Sequence, residues 1–406
     1  MVDVSTSLRA NAEIGGEVAR YRVTAGSVEV AVFDRPATAL AAYGAIARNA
    51  RFTPPQSPAW IEAWAQANTT DIVVATLAVA GTPALTIALE VVRRGPFRRA
   101  RFMGGHHANG NFAPLVADAP RLRRSDIDAL VAGIKQARPD IDVLALERIV
   151  GEHDGVTNPL LSLTKMPSPN ISLAVDLTGG FDELLKRSSG KRKRKKHRSQ
   201  IRKFELVGAW RCFEATTPAD IDRMLDAFFE MKRARLEKMG VEDVFAPPGV
   251  RSFFRNLFKQ ALGSARPEFV LAALEVGGVL RAVTGSSRTA DRIICEFGAI
   301  SEDELFYASP GDFLFFEEIR KACDDGLAFY DFSVGDEQYK RLWCDVEATH
   351  FDVIVPLTLK GRMLATAMRG ANRLKGIVKG NKFIWALTKR LRRRNAAATP
   401  QPDSDD

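Results

Sequence analysis

Two stretches of alternating helix and strand patterns, on either side of a proline-rich segment, constrain the fold of this chain most strongly. The segment is NPLLSLTKMPSPN, residues 158–170, and it is typical of a linker. Before it, DIVVATLAVAG and PALTIALEVVRR predict two strands that meet near Gly81, and SPAWIEAWAQAN predicts a helix with Ser57 at its N-cap. After it the alternation starts again. We therefore predict two mixed α/β domains, residues 1–165 and 166–356.

The positive charge is concentrated in two segments. The net charge is +9, from 58 Lys and Arg against 49 Asp and Glu. Residues 188–203 hold nine of these cations and residues 357–394 hold twelve, both without an acid, so 37 basic and 49 acidic residues remain elsewhere. This uneven distribution predicts local contacts with anions rather than a uniformly cationic surface.

The first basic segment belongs to a helical stretch predicted from Phe181 to Leu206, and its cations, within residues 191–203, are expected to face outward. His197, Ile201 and Phe204 lie at i, i+4 and i+7 and form one apolar edge. The cationic side is either a solvated surface or a contact for an anionic ligand such as CoA phosphates, a nucleotide sugar, tRNA or lipid. It has no zinc-finger or RNP pattern and no interleaved aromatics, which disfavours sequence-specific nucleic-acid recognition.

The second basic segment predicts a separate region, residues 357–406, with an amphipathic helical tail and a disordered end. Apolar residues interleave with the cations over 360–394, a pattern that suits an anionic membrane surface. Gly361, Gly370, Gly376 and Gly380 argue against one rigid helix.

The remaining sequence features predict a cytoplasmic protein, peripheral to the inner membrane if the tail binds lipid. Residues 1–20 hold no apolar core of a signal peptide, and no window reaches the roughly 20 apolar residues of a membrane span. The four cysteines are far apart and follow no metal-ligand spacing, which indicates reduced thiols.

The segment YASPGDFL, which starts at Tyr307, follows a predicted strand and begins a helix. Ser309 stands at the N-cap position, Pro310 at the first helical position, and Asp312 can complete a capping box. Gly311 lets a ligand approach the backbone, and the free N–H groups of a helix start suit a phosphate. A well-capped helix without a ligand is the alternative, and Asp312 favours it.

Two further segments hold polar residues that suit a site. YDFSVGDEQYKRLW places Tyr339, Lys340 and Trp343 after a strand, where a lysine can donate to an oxyanion; a surface lysine paired with a nearby acid is the alternative. The glycine-bracketed loop MGGHHANGNFAP, residues 103–114, either lines an acceptor site or is a plain loop. Its histidine pair lacks the third ligand that a metal site needs.

YASPGDFL and GLAFYDFSVGDEQYKRLW together resemble the signature of the CelD/BcsL-type acetyltransferases of cellulose and exopolysaccharide synthesis. These belong to the GNAT superfamily and are similar to FemAB-type double-GNAT proteins. FTPPQSPAWIEAWAQA and FDELLKRSSGKRKRKKHRSQIRKFELVG resemble further family segments, in the same order, so the resemblance covers roughly residues 45–356. It implies two GNAT-like (acyl-CoA N-acyltransferase) domains, the second catalytic, and transfer of an acetyl group from acetyl-CoA to an amine or hydroxyl without a metal.

The resemblance also implies roles for individual residues. A gap between the strand ending near Ile300 and the strand Tyr330–Ser333 would hold the thioester arm. The residues implied for the cofactor are Ser309, Pro310, Gly311, Asp312 and Tyr339. Lys340 would polarise the acyl carbonyl, and Tyr307 would protonate the leaving thiolate. The general base would be Asp331, which belongs to the motif, or Glu296. The candidate acceptor residues are Trp343 of the motif and, from the loop sequence rather than the resemblance, His106, His107, Asn109 and Asn111.

The donor stays open at this point, because the chain lacks the Q/R-x-x-G-x-G/A loop of typical GNAT proteins. Acetyl-CoA is the first expectation. Aminoacyl-tRNA is the second, and it would give the residues 188–203 a partner. A third reading is a non-catalytic adaptor that binds the membrane surface beside a polysaccharide synthase.

Overall fold

A computed structural model describes residues 21–68 and 71–380, which form two compact units. Unit 1 contains the described residues up to Ile171 together with Ala348–Asn372, and unit 2 contains Ser172–Glu347 and the residues from Arg373. The chain therefore returns to unit 1 after unit 2. The predicted division into two consecutive domains does not include this return. The predicted disordered end and the basic residues after Gly380 lie outside the described residues.

The elements of the two units alternate as the sequence predicts. In chain order the first are β1 (Tyr21–Ala25), β2 (Val28–Phe33), α1 (Pro36–Ala47), β3 (Ala50–Arg51), α2 (Pro58–Ala67), β4 (Asp71–Val79), β5 (Thr82–Arg94), β6 (Phe97–Phe102), β7 (Leu115–Val116), α3 (Arg124–Ala137), β8 (Val143–Ile149), β9 (Glu152–His153) and β10 (Val156–Thr157). They are followed by β11 (Lys165–Asp176), α4 (Gly180–Arg187), α5 (Gly190–Glu205), β12 (Trp210–Glu214), α6 (Pro218–Lys238), α7 (Pro248–Ala261), β13 (Phe269–Val276), β14 (Val279–Arg288), β15 (Arg292–Ile300), α8 (Pro310–Asp324), β16 (Phe329–Val334), α9 (Gln338–Arg341), β17 (Val346–Pro356) and α10 (Leu359–Gly380).

Both units have the same topology, that of a GNAT-like domain. In unit 1 the strand order is β1-β2-β4-β5-β6-β8-β17, and in unit 2 it is β12-β13-β14-β15-β16-β11. Each order is antiparallel except for one parallel pair, β6 with β8 and β15 with β16. In each unit two helices follow an equivalent strand, which is β2 in unit 1 and β12 in unit 2. One further helix precedes the later strand of the parallel pair, which is β8 in unit 1 and β16 in unit 2. The fold is thus α/β with two GNAT-like units, a repeat that no internal sequence similarity indicates.

Apolar faces with the predicted periodicity form the cores. In α3, Ile127, Leu130 and Ile134 are buried against the sheet of unit 1, as their spacing predicts. In unit 2 the ring of Phe297 on β15 contacts a group of aromatic rings from α6, α7 and the loop between them: Phe228, Phe245, Phe254 and Phe258. This packing fixes β15, on which the candidate site depends.

Three sequence expectations about single elements are wrong. The proline-rich linker is in large part strand β11, because Pro167 and Pro169 lie at positions that do not interrupt it. The helical stretch predicted from Phe181 onward is two helices, since Ser189 adopts a left-handed conformation with φ 60° between them. α10 is continuous to Gly380 despite its glycines. Within the described residues, no helix is both long and apolar enough to span a membrane.

Candidate active site

The two parallel strands of unit 2 separate soon after they begin. β15 and β16 pair at three positions: Arg292 with Phe329, Ile293 with Tyr330, and Ile294 with Asp331. Beyond them β15 continues to Ile300 with β14 as its partner on the other side. We call the unpaired stretch between β15 and β16 the gap; it lies where the resemblance implies one, and its role in holding a ligand stays a prediction. Backbone groups on this side of β15 are not paired with β16, and such groups can bind an extended ligand.

A β-bulge places Glu296 where the gap begins. Ser286 of β14 pairs with Cys295, and the preceding Gly285 pairs with Phe297, so Glu296 is the extra residue of β15. A Cβ on Gly285 would lie 2.1 Å from the Phe297 ring, which explains the glycine. Bulges re-aim side chains, and this one gives Glu296 an environment that regular pairing would not.

The two carboxylate oxygens of Glu296 differ in their hydrogen bonding. Ser287 Oγ donates a hydrogen bond to Oε1 at 2.7 Å, whereas Oε2 is buried without a hydrogen-bond partner among residues 21–68 and 71–380. Burial raises the pKa of Glu296 to about 8, with the negative charge of Asp331 acting in the same direction. A buried carboxyl with a raised pKa and an unpaired oxygen is suited to accept a proton near neutral pH.

Asp331 is hydrogen-bonded into the end of β16. Its Oδ1 accepts from the Ser333 backbone N–H at 2.7 Å and from Ser172 Oγ at 3.2 Å, and Oδ2 lies 3.8 Å from Arg292. Burial raises its pKa. Ser333 has a positive φ of 56°, so the carboxylate stabilises a strained turn. The sequence favoured Asp331 as the base over Glu296; the hydrogen bonds favour the opposite order.

Lys340 is buried and not the surface lysine of the alternative reading. Its side chain is 6% exposed, and Nζ donates to the Val334 carbonyl and contacts Glu337 Oε2, both at 3.0 Å. A Cβ on Gly335 would lie 2.9 Å from Nζ, so the glycine makes room for the ammonium group. The expected pairing with a nearby acid is present, but at a buried position at the end of β16.

The two aromatic residues beside Lys340 differ. The Tyr339 ring is partly exposed and stacks on Phe315, with ring centroids 5.6 Å apart. Trp343 is buried in the core of unit 2, and Lys193 Nζ covers its ring at 4.4 Å. The acceptor contact implied for Trp343 is therefore corrected, because the side chain is inaccessible.

The first turn of α8 already holds its own charge pair. Asp312 Oδ2 lies 2.9 Å from Lys196 Nζ of α5. Ser309 is left-handed with φ 56° and makes no side-chain cap, so the predicted capping box is wrong. Gly311 packs against Ile300, where a Cβ would lie 2.7 Å from Cγ2. Of the four residues implied for the cofactor at this turn, Gly311 thus contacts the end of β15, whereas the Asp312 carboxylate competes with a phosphate.

Helix α5 packs beside α8 and leaves a row of cations exposed. His197 stacks on Phe313 and Phe316 and contacts Glu317, and Phe204 is buried, which confirms the predicted apolar edge. Lys203 lies 4.7 Å from the ring centroid of the exposed Tyr307. Four exposed cations without an ion-pair partner among the described residues recur at i, i+4, i+7 and i+11: Lys191, Lys195, Arg198 and Arg202.

In unit 1 the loop 103–114 fills the corresponding gap. β6 and β8 also pair at three positions, and beyond them Asn111 forms a parallel bridge to Ile149. The Asn111 amide donates to the carbonyls of Ala108 and Glu147 and accepts from Gln56. It is 1% exposed, so its predicted contact with an acceptor is corrected.

The other three candidate residues of this loop, His106, His107 and Asn109, are exposed or partly buried. Arg148 Nη1 donates to the His106 carbonyl at 2.7 Å and to Asn109 Oδ1 at 2.6 Å. His106 is exposed and His107 is partly buried, with its ring 6.2 Å from Trp64. Their acceptor role stays a prediction. Among the described residues, no group of His, Cys, Asp and Glu side chains could hold a metal ion.

Lys232 of α6 is a candidate that the sequence did not single out. Its Nζ donates to the Gly298 carbonyl at 3.3 Å, on the part of β15 that β16 does not pair. Burial lowers its pKa, and Arg235 adds to the effect. Nothing in EMKRARLEK distinguishes it from the other cations of α6. The two adjacent serines in the buried strand β14, Ser286 and Ser287, could have indicated from the sequence that a polar side chain lies beside this strand. That side chain is Glu296, to which Ser287 donates.

A second buried carboxyl, Glu318 of α8, gives a test of the site's electrostatics. It accepts hydrogen bonds from Thr284 and Tyr330, and burial raises its pKa from 4.5 to about 7. The native state therefore holds a proton between about pH 4.5 and 7 that the unfolded chain has lost, so this residue's contribution to stability falls as pH rises through that window. Relative to wild type, Glu318→Gln is expected to gain about 2 kcal/mol between pH 5 and pH 8 in urea unfolding. The exposed Glu242→Gln serves as control, and parallel pH curves for wild type and Glu318→Gln would contradict the expectation.

Unit 2 has the GNAT-like topology, and part of it matches a family model. Residues 191–341, from the start of α5 through Glu296 to the end of α9, match a family described as an acetyltransferase (GNAT) domain. The crystal structure of FemX is similar to this chain, with a TM-score of 0.53, 11% identity, and coverage of 81% of this chain and 98% of that chain. At this identity the likeness shows the fold alone.

Two further solved structures are similar at lower scores. A tandem GNAT protein from the clavulanic acid biosynthesis pathway has a TM-score of 0.45 and 11% identity, over 82% of this chain and 99% of that chain. L-PGS from Bacillus licheniformis has a TM-score of 0.45 and 13% identity, over 79% and 97%. No curated protein matches the sequence.

Proposed function

We propose that unit 2 transfers an acyl group from an activated carrier to an amine or hydroxyl of a cell-envelope or exopolysaccharide precursor. The observation that carries the proposal is the separation of β15 from β16 next to a buried Glu296 with an unpaired oxygen. The resemblance to the CelD/BcsL type supports the class of acceptor. The match of residues 191–341 to a GNAT acetyltransferase domain supports the reaction.

The chemistry follows from the groups at the gap. The lone pair of the attacking amine nitrogen or hydroxyl oxygen forms a bond to the acyl carbonyl carbon, and Glu296 Oε2 takes the proton that this atom loses. The carbonyl oxygen becomes an oxyanion, and we assign its stabilisation to backbone N–H groups on the unpaired side of β15 and to the Lys340 ammonium. When the tetrahedral intermediate collapses, the bond to the carrier breaks and the leaving atom takes a proton. Tyr307 is our candidate donor.

Acetyl-CoA is the first candidate donor. The resemblance and the family match support it, and in this proposal the thioester arm lies along the unpaired side of β15. Because Asp312 and Lys196 already form a pair at the first turn of α8, we place the CoA phosphates on the cations of α5 instead. Mass spectrometry of the full chain with a panel of acyl thioesters and envelope precursors tests transfer. If no thioester gives an acylated product, this donor is wrong.

Aminoacyl-tRNA is a second candidate, because the four-cation row on α5 matches the repeated charges of a nucleic-acid backbone. The row, Lys191 to Arg202, spans about 16 Å along the helix axis.

We expect the combined variant Lys191→Gln, Lys195→Gln, Arg198→Gln and Arg202→Gln to flatten the salt dependence of tRNA binding. Each phosphate contact contributes roughly 0.7–0.9 to the slope of log K against log salt, so the slope falls by about three. The matched control neutralises four exposed cations of unit 1, Arg35, Arg94, Arg121 and Lys135, and keeps the wild-type slope. Equal slopes for both variants, or tighter binding of acetyl-CoA with no tRNA binding, would exclude this donor.

A further inference from the structure

Helix α10 is fixed to unit 1 by its inner face. A Cβ on Gly361 would lie 1.9 Å from the Asp142 carbonyl oxygen, and Ala365 is buried beside Val143, Ala145 and Ile354. Lys360 contacts the Asp142 carboxylate at 3.2 Å, and Arg369 donates to the Ile354 carbonyl at 2.6 Å. The first four turns of α10 are thus a rigid part of a folded unit, with a defined outer face.

The outer face exposes a stripe of apolar side chains. Leu359, Met363 and Leu374 are 78%, 73% and 62% exposed. With Ala367 and Gly370 between them they recur at i, i+4, i+8, i+11 and i+15, which is one line along a helix, opposite Gly361 and Ala365. An apolar stripe of about 24 Å, exposed on a helix that already buries its other face, points to an apolar medium outside the protein.

The charges beside the stripe indicate which medium. Arg362, Arg373 and Lys375 are exposed on α10 and have no ion-pair partner among the described residues. Residues 357–394 hold twelve basic residues and no acid. A second copy of this helix would bring like charges together, whereas an anionic lipid surface offers apolar chains and negative headgroups side by side.

We propose that the outer face of α10 lies on an anionic lipid bilayer, with Leu359, Met363 and Leu374 in the interfacial region and the flanking cations at the headgroups. Unit 1 is thereby held at the membrane through its rigid helix. The proposal does not depend on the acyl transfer chemistry of unit 2, because it concerns only α10, whose residues up to Asn372 belong to unit 1.

The test measures binding of the full chain to vesicles of phosphatidylcholine with and without phosphatidylglycerol. Wild type is expected to co-sediment with the anionic vesicles and to bind the neutral vesicles far less. Leu359→Ser combined with Met363→Ser should weaken partition about tenfold or more, since two exposed apolar side chains are removed. The matched control, Leu206→Ser with Val279→Ser, removes two exposed apolar side chains of unit 2 and should bind as wild type. Arg362→Gln with Arg373→Gln should weaken binding about fivefold per charge.

Three outcomes would overturn the proposal. These are no binding of wild type to anionic vesicles, equal binding by the Leu359→Ser, Met363→Ser variant, and equal binding to neutral vesicles. Sedimentation of wild type as a dimer that this variant converts to monomers would assign the stripe to a second copy of the chain. Thermal unfolding of each variant verifies that it is folded. For the Leu359→Ser, Met363→Ser variant we expect an unchanged unfolding temperature, because both side chains are exposed.

Discussion

Glu296→Gln is expected to lower kcat about 10²- to 10⁴-fold while donor binding is retained, because the amide cannot accept the proton from the acceptor. In wild type, kcat/KM should rise with pH and level off near pH 8, where the buried carboxyl loses its proton. The variant should lack this limb. The measurement is single-turnover transfer to the acceptor that mass spectrometry identifies, from pH 6 to 9.

A signal independent of turnover separates this role from a structural one. At pH 7 the wild type should retain an infrared carboxylic-acid band that Glu296→Gln lacks, since the pKa of Glu296 is raised to about 8. The surface substitution Glu62→Gln serves as control and should leave both band and rate unchanged. A variant that keeps wild-type kcat, or a pH limb that persists without Glu296, would remove it from the mechanism.

The alternative base makes a different prediction. Asp331→Asn keeps the shape of the side chain but weakens the hydrogen bonds from Ser333 and Ser172. If Asp331 only positions the end of β16, the variant should lower stability and raise KM while the pH limb near 8 remains. Disappearance of the limb in Asp331→Asn, with the limb intact in Glu296→Gln, would restore the order that the sequence suggested.

The alternation of elements could be predicted from the sequence, and the key features of the site could not. Apolar periodicity located β4, β5 and the strands from β13 to β15, because each contains a buried run or a buried face of apolar side chains. The bulge at Glu296 depends on a register shift opposite Gly285, which leaves no local pattern. A motif draws attention to Asp331, but only the hydrogen bonds reveal that Glu296 has the unpaired oxygen.

The boundaries were hidden for a related reason. β17 comes after most of unit 2 in the chain but pairs with β8 of unit 1, and β11 begins within unit 1 but pairs with β16 of unit 2. Such an exchange of outer strands depends on contacts between distant segments, so composition shifts do not mark it. The glycines of α10 misled in the same way. Helix propensity counts each glycine as unfavourable for a helix. The effect of a glycine on α10, however, depends on the atoms that surround it in the folded structure.

Gly361→Ala and Gly370→Ala are expected to change stability in opposite directions, although both lie in α10. At Gly361 the new methyl group would lie 1.9 Å from the backbone oxygen of Asp142, so the helix must move away from unit 1, at a cost of about 3 kcal/mol. At Gly370 a Cβ meets nothing within 4 Å, so alanine gains helix propensity of roughly 0.5–1 kcal/mol. Urea unfolding of both variants gives the two values.

The pair also tests whether α10 is a rigid part of unit 1. Displacement of the helix at Gly361 should break the contact between Lys360 and Asp142, so vesicle binding through the outer face should weaken in Gly361→Ala and persist in Gly370→Ala. If both variants unfold at the same urea concentration as wild type, Gly361 does not pack on Asp142 in solution. In that case the inner face is not anchored, and the apolar stripe loses the fixed orientation on which its contact with a membrane depends.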